Sequence, residues 1–175
     1  MYDIELHSPH EEHEEMALNF ISEHFMNNEP DIHGGALIEK LNYKDWLMQV
    51  RNNSMASTVS KDWVVSSTFF AIRKIDGEII GMLDMRHTLN DFLRLYGGHI
   101  GFSVRPSERR KGYATQILKQ GLEYAKTIGL EKVMLACYKN NAASRNTIVK
   151  CGGIMEREFV YQHGGTVQVF WISLK

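Results

Sequence analysis

Between Gly98 and Cys137 the chain passes from a β-rich run through a helical stripe into a second β-rich run, and this succession constrains the fold most. Gly98-His99-Ile100-Gly101-Phe102-Ser103-Val104 reads as a strand. Ile117, Leu118, Leu122, Ala125 and Ile128 recur at helical spacing, and Gly129-Leu130 supplies a glycine stop with a following apolar contact. Val133 to Cys137 is continuously apolar, as expected of a strand covered on both faces. A strand, helix, strand unit of about 40 residues implies a right-handed crossover and a parallel pair. Upstream, Thr68 to Arg73 and Glu78 to Met85 are joined at Asp76-Gly77, a hairpin signal that makes this pair antiparallel. Downstream, Ala142 to Lys150 reads as a helix stopped by Gly152-Gly153. Phe159 to Tyr161 and Val167 to Ile172 then form a closing hairpin about His163-Gly164-Gly165. The fold class is α/β in its mixed α+β form: antiparallel strands first, a parallel pair in the centre, a hairpin last.

The N-terminal third is helical. Ser8-Pro9-His10-Glu11 predicts a capped helix start with Glu11 completing a capping box, and Leu18, Ile21 and Phe25 form its expected buried stripe. Asn27-Asn28-Glu29-Pro30 stops that helix, and Asp31 to Gly35 is a loop. Tyr43 to Arg51 predicts a second helix with Trp46, Leu47 and Val50 inward. Trp46, Trp63 and Trp171 are expected in core and cleft walls, and Cys137 as a small core residue.

Charge narrows the partners. With 20 basic against 21 acidic residues the net charge is −1, which argues against nucleic acid or an anionic membrane as the main partner. Two cysteines are too few for a secreted disulfide framework and lack zinc spacing, so no metal is expected. The acidic, polar N-terminus does not read as a signal or transit peptide. No apolar run approaches the roughly 20 residues that cross a bilayer. The expectation is a single cytoplasmic domain over residues 1–175.

The turn after Val104 departs from that average. Arg105, Arg109, Arg110 and Lys111 against Glu108 give a local excess of +3, immediately before a helix. The first amides of a helix have no intrahelical partner, and with the helix dipole they suit an anion. Gly112 would let a phosphate approach the backbone. The segment is neither GxxxxGK[ST] nor GxGxxG. On residues alone, an anion site and a solvated basic loop both remain open.

Val104-Arg105-Pro106-Ser107-Glu108-Arg109-Arg110-Lys111-Gly112-Tyr113-Ala114 resembles the signature segment of the GNAT family of acyl-CoA N-acyltransferases, V-x-P-x-x-[RQ]-x-x-G-x-[GA]. Arg109, Gly112 and Ala114 fill its defining positions. A second segment of that family also has its counterpart, Asn141-Ala142-Ala143-Ser144 with Gly152 eleven residues past Asn141. The resemblance is close from Thr68 to Ile172 and looser over the N-terminal helices. It implies the GNAT fold with a splayed parallel pair, a helical acceptor-side portion over residues 1–65 and a sheet core with the CoA site over 66–175. It also implies acetyl-CoA as co-substrate, an amine as acceptor and direct transfer without an acyl-enzyme.

The family's roles map onto this sequence as follows. The amides from Arg110 through Tyr113 and Ala114 to Thr115 would cradle the diphosphate, with Arg109, Arg110 and Lys111 supplying charge. Phe102 and Val104 would pair with the pantetheine arm as an added strand does. Asn141, with Ser144, would hydrogen-bond it from the other side. An amine of pKa near 10.4 must lose its proton at a cost of roughly 5 kcal/mol at neutral pH. An oxyanion would need a donor near Phe102 to Val104. His87 and His99, at strand ends, are the candidate bases, and Arg86, Asn90 and the Asp31-Ile32-His33 loop are polar groups on the acceptor side. Where many family members carry an acidic tyrosine this chain has Ile148, so the acid is unassigned among Tyr138, Ser144 and water. The alternative function is a non-catalytic CoA-binding sensor or partner module. The closing hairpin, if exposed, would suit a homodimer.

Overall fold

A computed structural model describes residues 2–162 and 164–174; His163, at the expected hairpin turn, lies outside the described residues. The chain begins with a strand the sequence reading missed, β1 (Ile4–His7), followed by α1 (Glu14–Met26), α2 (Tyr43–Asn53), β2 (Ser66–Arg73) and β3 (Ile79–Arg86). A short π-helical turn (Leu93–Gly97) leads to β4 (Ile100–Val104), then α3 (Tyr113–Thr127), β5 (Lys132–Tyr138), α4 (Ala142–Lys150), β6 (Ile154–Val160) and β7 (Thr166–Ser173). Among the described residues no helix is long and apolar enough to cross a membrane.

The strands form two antiparallel sheets, β1-β2-β3-β4 and β5-β7-β6. They meet where the His99 N–H donates to the Met134 carbonyl at 2.7 Å. Beyond that junction no ladder joins β4 to β5 among the described residues. The residues that follow it on each strand, Ile100 to Val104 and Leu135 to Tyr138, line one cavity. Both strands therefore run away from the junction in the same direction and open as they go, the splayed parallel pair of a mixed α/β sheet.

The core divides across the first sheet. Ile117, Leu118, Leu122 and Ala125 of α3 pack with Leu83, Met85, Val133 and Leu135 on one side. Phe20, Ile21, Trp46 and Leu47 of α1 and α2 pack with Phe70 and Met82 on the other. Gly129, at φ +83°, ends α3 as expected, with the Leu130 N–H donating to the Ala125 carbonyl at 3.0 Å.

The first helix differs from its sequence reading. Its leading turn is 3-10 (Glu11–His13), and the His10 N–H is satisfied by His13 Nδ1 at 3.0 Å. Glu11, assigned to a Ser8 capping box, instead forms two hydrogen bonds with Arg51. Leu18 and Phe25 are exposed (52% and 48%), while Ala17, Phe20, Ile21 and His24 are buried. The two stripes overlap at Ile21. Burying the Phe20 side puts that ring beneath the Arg105 guanidinium, 5.7 Å from its centroid, and this selects the face. Trp46 is fully buried and Trp171 partly so, whereas Trp63 is 39% exposed and fills no core.

Candidate functional site

The opening between β4 and β5 forms the wall of a cavity of about 1390 Å³. It extends from the loop after α1 to the N-terminus of α3. The Asn27–Pro30 stop and the Asp31 loop line it, and Gly34, at φ +73°, lies directly against β4. A Cβ on Gly34 would collide with the Gly101 carbonyl and sit 2.8 Å from Phe102 Cα. Only glycine fits there.

At the other end of the cavity lies the backbone turn between β4 and α3. Arg110 (φ +63°) and Gly112 (φ +87°) both adopt left-handed conformations, and Gly112 leads directly into α3. Among the described residues, the amides of Arg110, Lys111, Gly112, Tyr113, Ala114 and Thr115 donate to no backbone acceptor. Successive outward amides at a helix N-terminus form an anion concavity. A Cβ on Gly112 would meet nothing within 4 Å, so the approach over that residue is open.

The +3 excess read from this turn is largely neutralised in three dimensions. Arg105 is 5% exposed and is held by Glu23 at 2.9 Å, by Asn19 and by the Ile79 carbonyl. Arg109 makes two 2.6 Å hydrogen bonds to Glu29. Glu108 takes Lys111 at 2.9 Å and Arg73 at 3.0 Å. Arg110 is the cation of the turn with no carboxylate partner among the described residues. The site's anion preference therefore resides in backbone amides and Arg110 more than in a basic cluster.

β4 is paired with β3 on one side alone, from Gly81 opposite Val104 to Met85 opposite Ile100. Its other edge, carrying Phe102 and Val104, faces the cavity. Asn141 and Ser144 line the opposite side. Asn141 is the N-cap of α4, its Oδ1 accepting the Ser144 N–H at 3.1 Å, which fixes the amide group with Nδ2 remaining. Burial raises the Cys137 thiol pKa against an opposing hydrogen bond with Ser144.

The two histidines read as candidate bases do not line this cavity. His99 is 6% exposed, and its Nδ1 accepts the Met134 N–H at 2.9 Å. Burial, with Arg86 and Arg94 nearby, pushes its pKa down to about 4. It joins the two sheets. His87 points to the α3 side, with Nε2 2.9 Å from Ser67 Oγ, which in turn is 2.7 Å from the Tyr124 hydroxyl. Period-2 alternation explains this: Asp84 and Arg86 share one face of β3, and His87 falls on the other. Ile148 is fully buried and packs in the α3 core. Tyr138 and Thr147, by contrast, line the cavity.

Other residues are on the wall instead. Arg86 reaches it from the end of β3, and Phe92, Tyr96 and Tyr161 form an aromatic side. His33 sits beside Gly34 on the exposed part of the same wall, and His24 lies deeper. His24 is 1% exposed, with Nδ1 2.8 Å from Glu29 and Nε2 unpartnered; burial lowers its pKa. Of these, Arg86 and the His33 loop were legible as acceptor-side polar groups. His24 and Glu29 were hidden because they read as an amphipathic helix and its stop.

Comparison with curated protein sequences returns no significant match. Among solved structures, a GNAT-family acetyltransferase from Streptococcus pneumoniae superposes with a TM-score of 0.68 at 13% identity, covering 98% of this chain and 99% of that one. A spermidine N-acetyltransferase variant from Vibrio cholerae gives 0.65 at 17% identity, covering 97% and 95%. A Salmonella typhimurium protein described as an acetyltransferase, solved with acetyl-CoA, gives 0.64 at 12% identity over 99% and 95%. At these identities the likeness is one of fold. A family profile, the acetyltransferase (GNAT) family, matches residues 37–152. The chain belongs to the GNAT family of acetyltransferases, enzymes that draw the acetyl group from acetyl-CoA.

Proposed function

We propose that this protein transfers the acetyl group of acetyl-CoA directly to the amine of a small molecule or peptide, both reactants being held in the cavity together. One observation carries the reading: six consecutive amides, Arg110 to Thr115, have no backbone acceptor among the described residues, beside an open Gly112. That concavity fits a diphosphate, and the edge of β4 beside it, which no strand covers and whose Val104 carbonyl accepts Arg109 Nε at 3.1 Å, fits an extended amide-bearing arm. When bound, acetyl-CoA supplies an activated thioester.

The chain's own residues then do the following. The amides from Arg110 to Thr115 bind the diphosphate, with Arg110 adding charge. Backbone groups of Phe102 and Val104 orient the arm, and Asn141 holds it from the α4 side. Amides of β4 offer donors to a developing negative oxygen. His33, exposed on the cavity wall next to the Gly34–Gly101 contact, takes the proton from the amine. Tyr138 or Ser144 supplies a hydrogen bond to the departing sulfur.

The location of Ile148 in the core favours a second reading, a CoA-binding module without catalysis, because no proton donor stands at that position. Thiol release from acetyl-CoA over a panel of amines separates the two. Turnover supports transfer, whereas binding of acetyl-CoA without turnover on any amine supports the module. If saturating acetyl-CoA and CoA both leave the melting temperature unchanged, neither reading stands. The proposal carries a cytoplasmic setting, where the donor is made and both free cysteines stay reduced. A homodimer would use β6, whose Ile154, Met155 and Val160 are exposed.

A further inference from the structure

Arg86 occupies an unusual place in the cavity wall. It is the last residue of β3, on the same face as Asp84 and opposite the Gly101 region of β4. Asp84 is 3% exposed, accepts the Thr68 hydroxyl at 2.9 Å and stands 2.8 Å from Arg86 Nε. Arg86 Nη1 donates to the Gly97 and Gly98 carbonyls at 3.3 and 3.4 Å. The guanidinium is thus held on two sides and pre-oriented. Its Nη2 makes no hydrogen bond among the described residues, and it lies 3.3 Å from where a Cβ on Gly101 would stand. A side chain at Gly101 would cover it. The glycine leaves that donor facing the space beside the β4 segment where transfer is proposed.

The surroundings limit what an acceptor can carry. Among the described residues three carboxylates line the cavity, and each is paired with a cation of the chain: Glu29 with Arg109, Asp31 with Lys40 and Glu108 with Arg73 and Lys111. A second ammonium group would have to displace one of these pairs. The far wall is aromatic. Phe92 packs edge-on against Tyr96 at 4.4 Å between centroids, and Tyr96 against Tyr161 at 4.6 Å. A fixed guanidinium N–H next to a transfer point also disfavours a protonated amine and favours a neutral one.

We infer that the acceptor is a primary amine whose neighbouring carbon carries a carboxylate or amide carbonyl and an apolar side chain. Arg86 reads the carbonyl oxygen and the Phe92–Tyr96–Tyr161 wall takes the side chain. Free amino acids and peptide N-termini share that chemistry; polyamines do not. The inference rests on the acetyltransferase reading and narrows it.

The test measures kcat/KM with acetyl-CoA for L-phenylalaninamide, L-phenylalanine, a tripeptide beginning with phenylalanine, phenethylamine and spermidine. A charge-assisted hydrogen bond to the carbonyl predicts that phenylalaninamide exceeds phenethylamine about tenfold or more. In Arg86→Lys, which keeps the charge opposite Asp84 but loses the fork, that ratio collapses towards one. Arg86→Met should do the same, and Arg86→Lys decides the matter if Arg86→Met fails to fold. Preference for the free acid or for the tripeptide identifies the source. The inference is overturned, with the acetyltransferase reading intact, if spermidine or phenethylamine matches phenylalaninamide, or if Arg86→Lys preserves the ratio. No turnover of any amine by protein that still binds acetyl-CoA overturns both.

Discussion

Arg109 and Glu29, eighty positions apart in sequence, face each other through two hydrogen bonds of 2.6 Å and tie the loop after α1 to the turn before α3. Glu29 also takes Asn27 Nδ2 at 2.7 Å and faces His24 Nδ1 at 2.8 Å. The pair brings the acceptor-side loop against the amide concavity, so both ends of the cavity share one support. It also moderates the field of Arg109 at the place where a diphosphate is proposed to sit.

Glu29 makes that support pH-dependent. Hydrogen bonds from Arg109 chiefly, opposed by burial, hold its carboxyl at about 2 against an ordinary 4.5. A depressed carboxylate stabilises the fold above its unfolded pKa, and the contribution is lost as pH falls from about 4.5 towards 2. Glu29→Gln should therefore melt lower at pH 7 and lose less on acidification than the parent. Melting curves across that range check this; an equally steep acid limb in the variant would count against it.

Gly112 serves two requirements at once. Its φ of +87° is left-handed, and the space over it is open. In Gly112→Ala the strain costs about 1 kcal/mol or somewhat more. The added methyl also stands where a diphosphate must approach. Affinity for CoA, measured calorimetrically, should fall by more than tenfold, while turnover with acetyl-pantetheine, which has no diphosphate, falls far less. Equal losses with both donors would remove the diphosphate from this turn.

His99 is a joint between sheets, and its pKa sign follows from burial. Its folded pKa of about 4 lies below the ordinary 6.5, so the unfolded chain takes up more protons between those values. Stability from this group is complete above 6.5 and falls with acid, by up to about 1.4 kcal/mol per pH unit. His99→Gln should lower the melting temperature at pH 7.5 and flatten the acid slope. Its kcat/KM profile should keep the parent's inflections, because His99 does not face the cavity. A lost inflection would return His99 to the chemistry.

The local elements were legible and their partnerships were not. Helical spacing from Ile117 to Ala125, the Asp76-Gly77 turn and the glycine stop at Gly129 each depend on neighbours in sequence, and the structure has them where expected. The turn from Arg105 to Gly112 was found as a segment, but its net charge was misjudged. Glu23 and Glu29 compensate Arg105 and Arg109 from eighty or more positions away in the chain. The histidines failed for a related reason. Proximity to a strand end does not say which face a side chain takes, and one residue decides it for Arg86 and His87. β1 is four residues long and pairs only with β2, too short for alternation to announce it.

His33 now carries the proposed proton transfer, because His87 and His99 stand away from the cavity wall and His24 is buried with Nδ1 opposite Glu29. The backbone contact of Gly34 with Gly101 and Phe102 holds the loop that carries His33 against β4. A general base contributes about 10²-fold or more to such a step. Its loss matters most when the free amine is scarce, and an α-amine with pKa of about 8 is still mostly protonated at pH 7. His33→Gln should therefore reduce kcat/KM at pH 7 by about 10²-fold, with acetyl-CoA affinity unchanged. The deficit should shrink steadily as pH approaches that of the amine, where solution deprotonation supplies the nucleophile. Replacing the acceptor with one of lower pKa should shrink it at fixed pH in the same way. A deficit that is constant across pH and across acceptors would mark His33 as a structural part of the loop, with the proton leaving by another path.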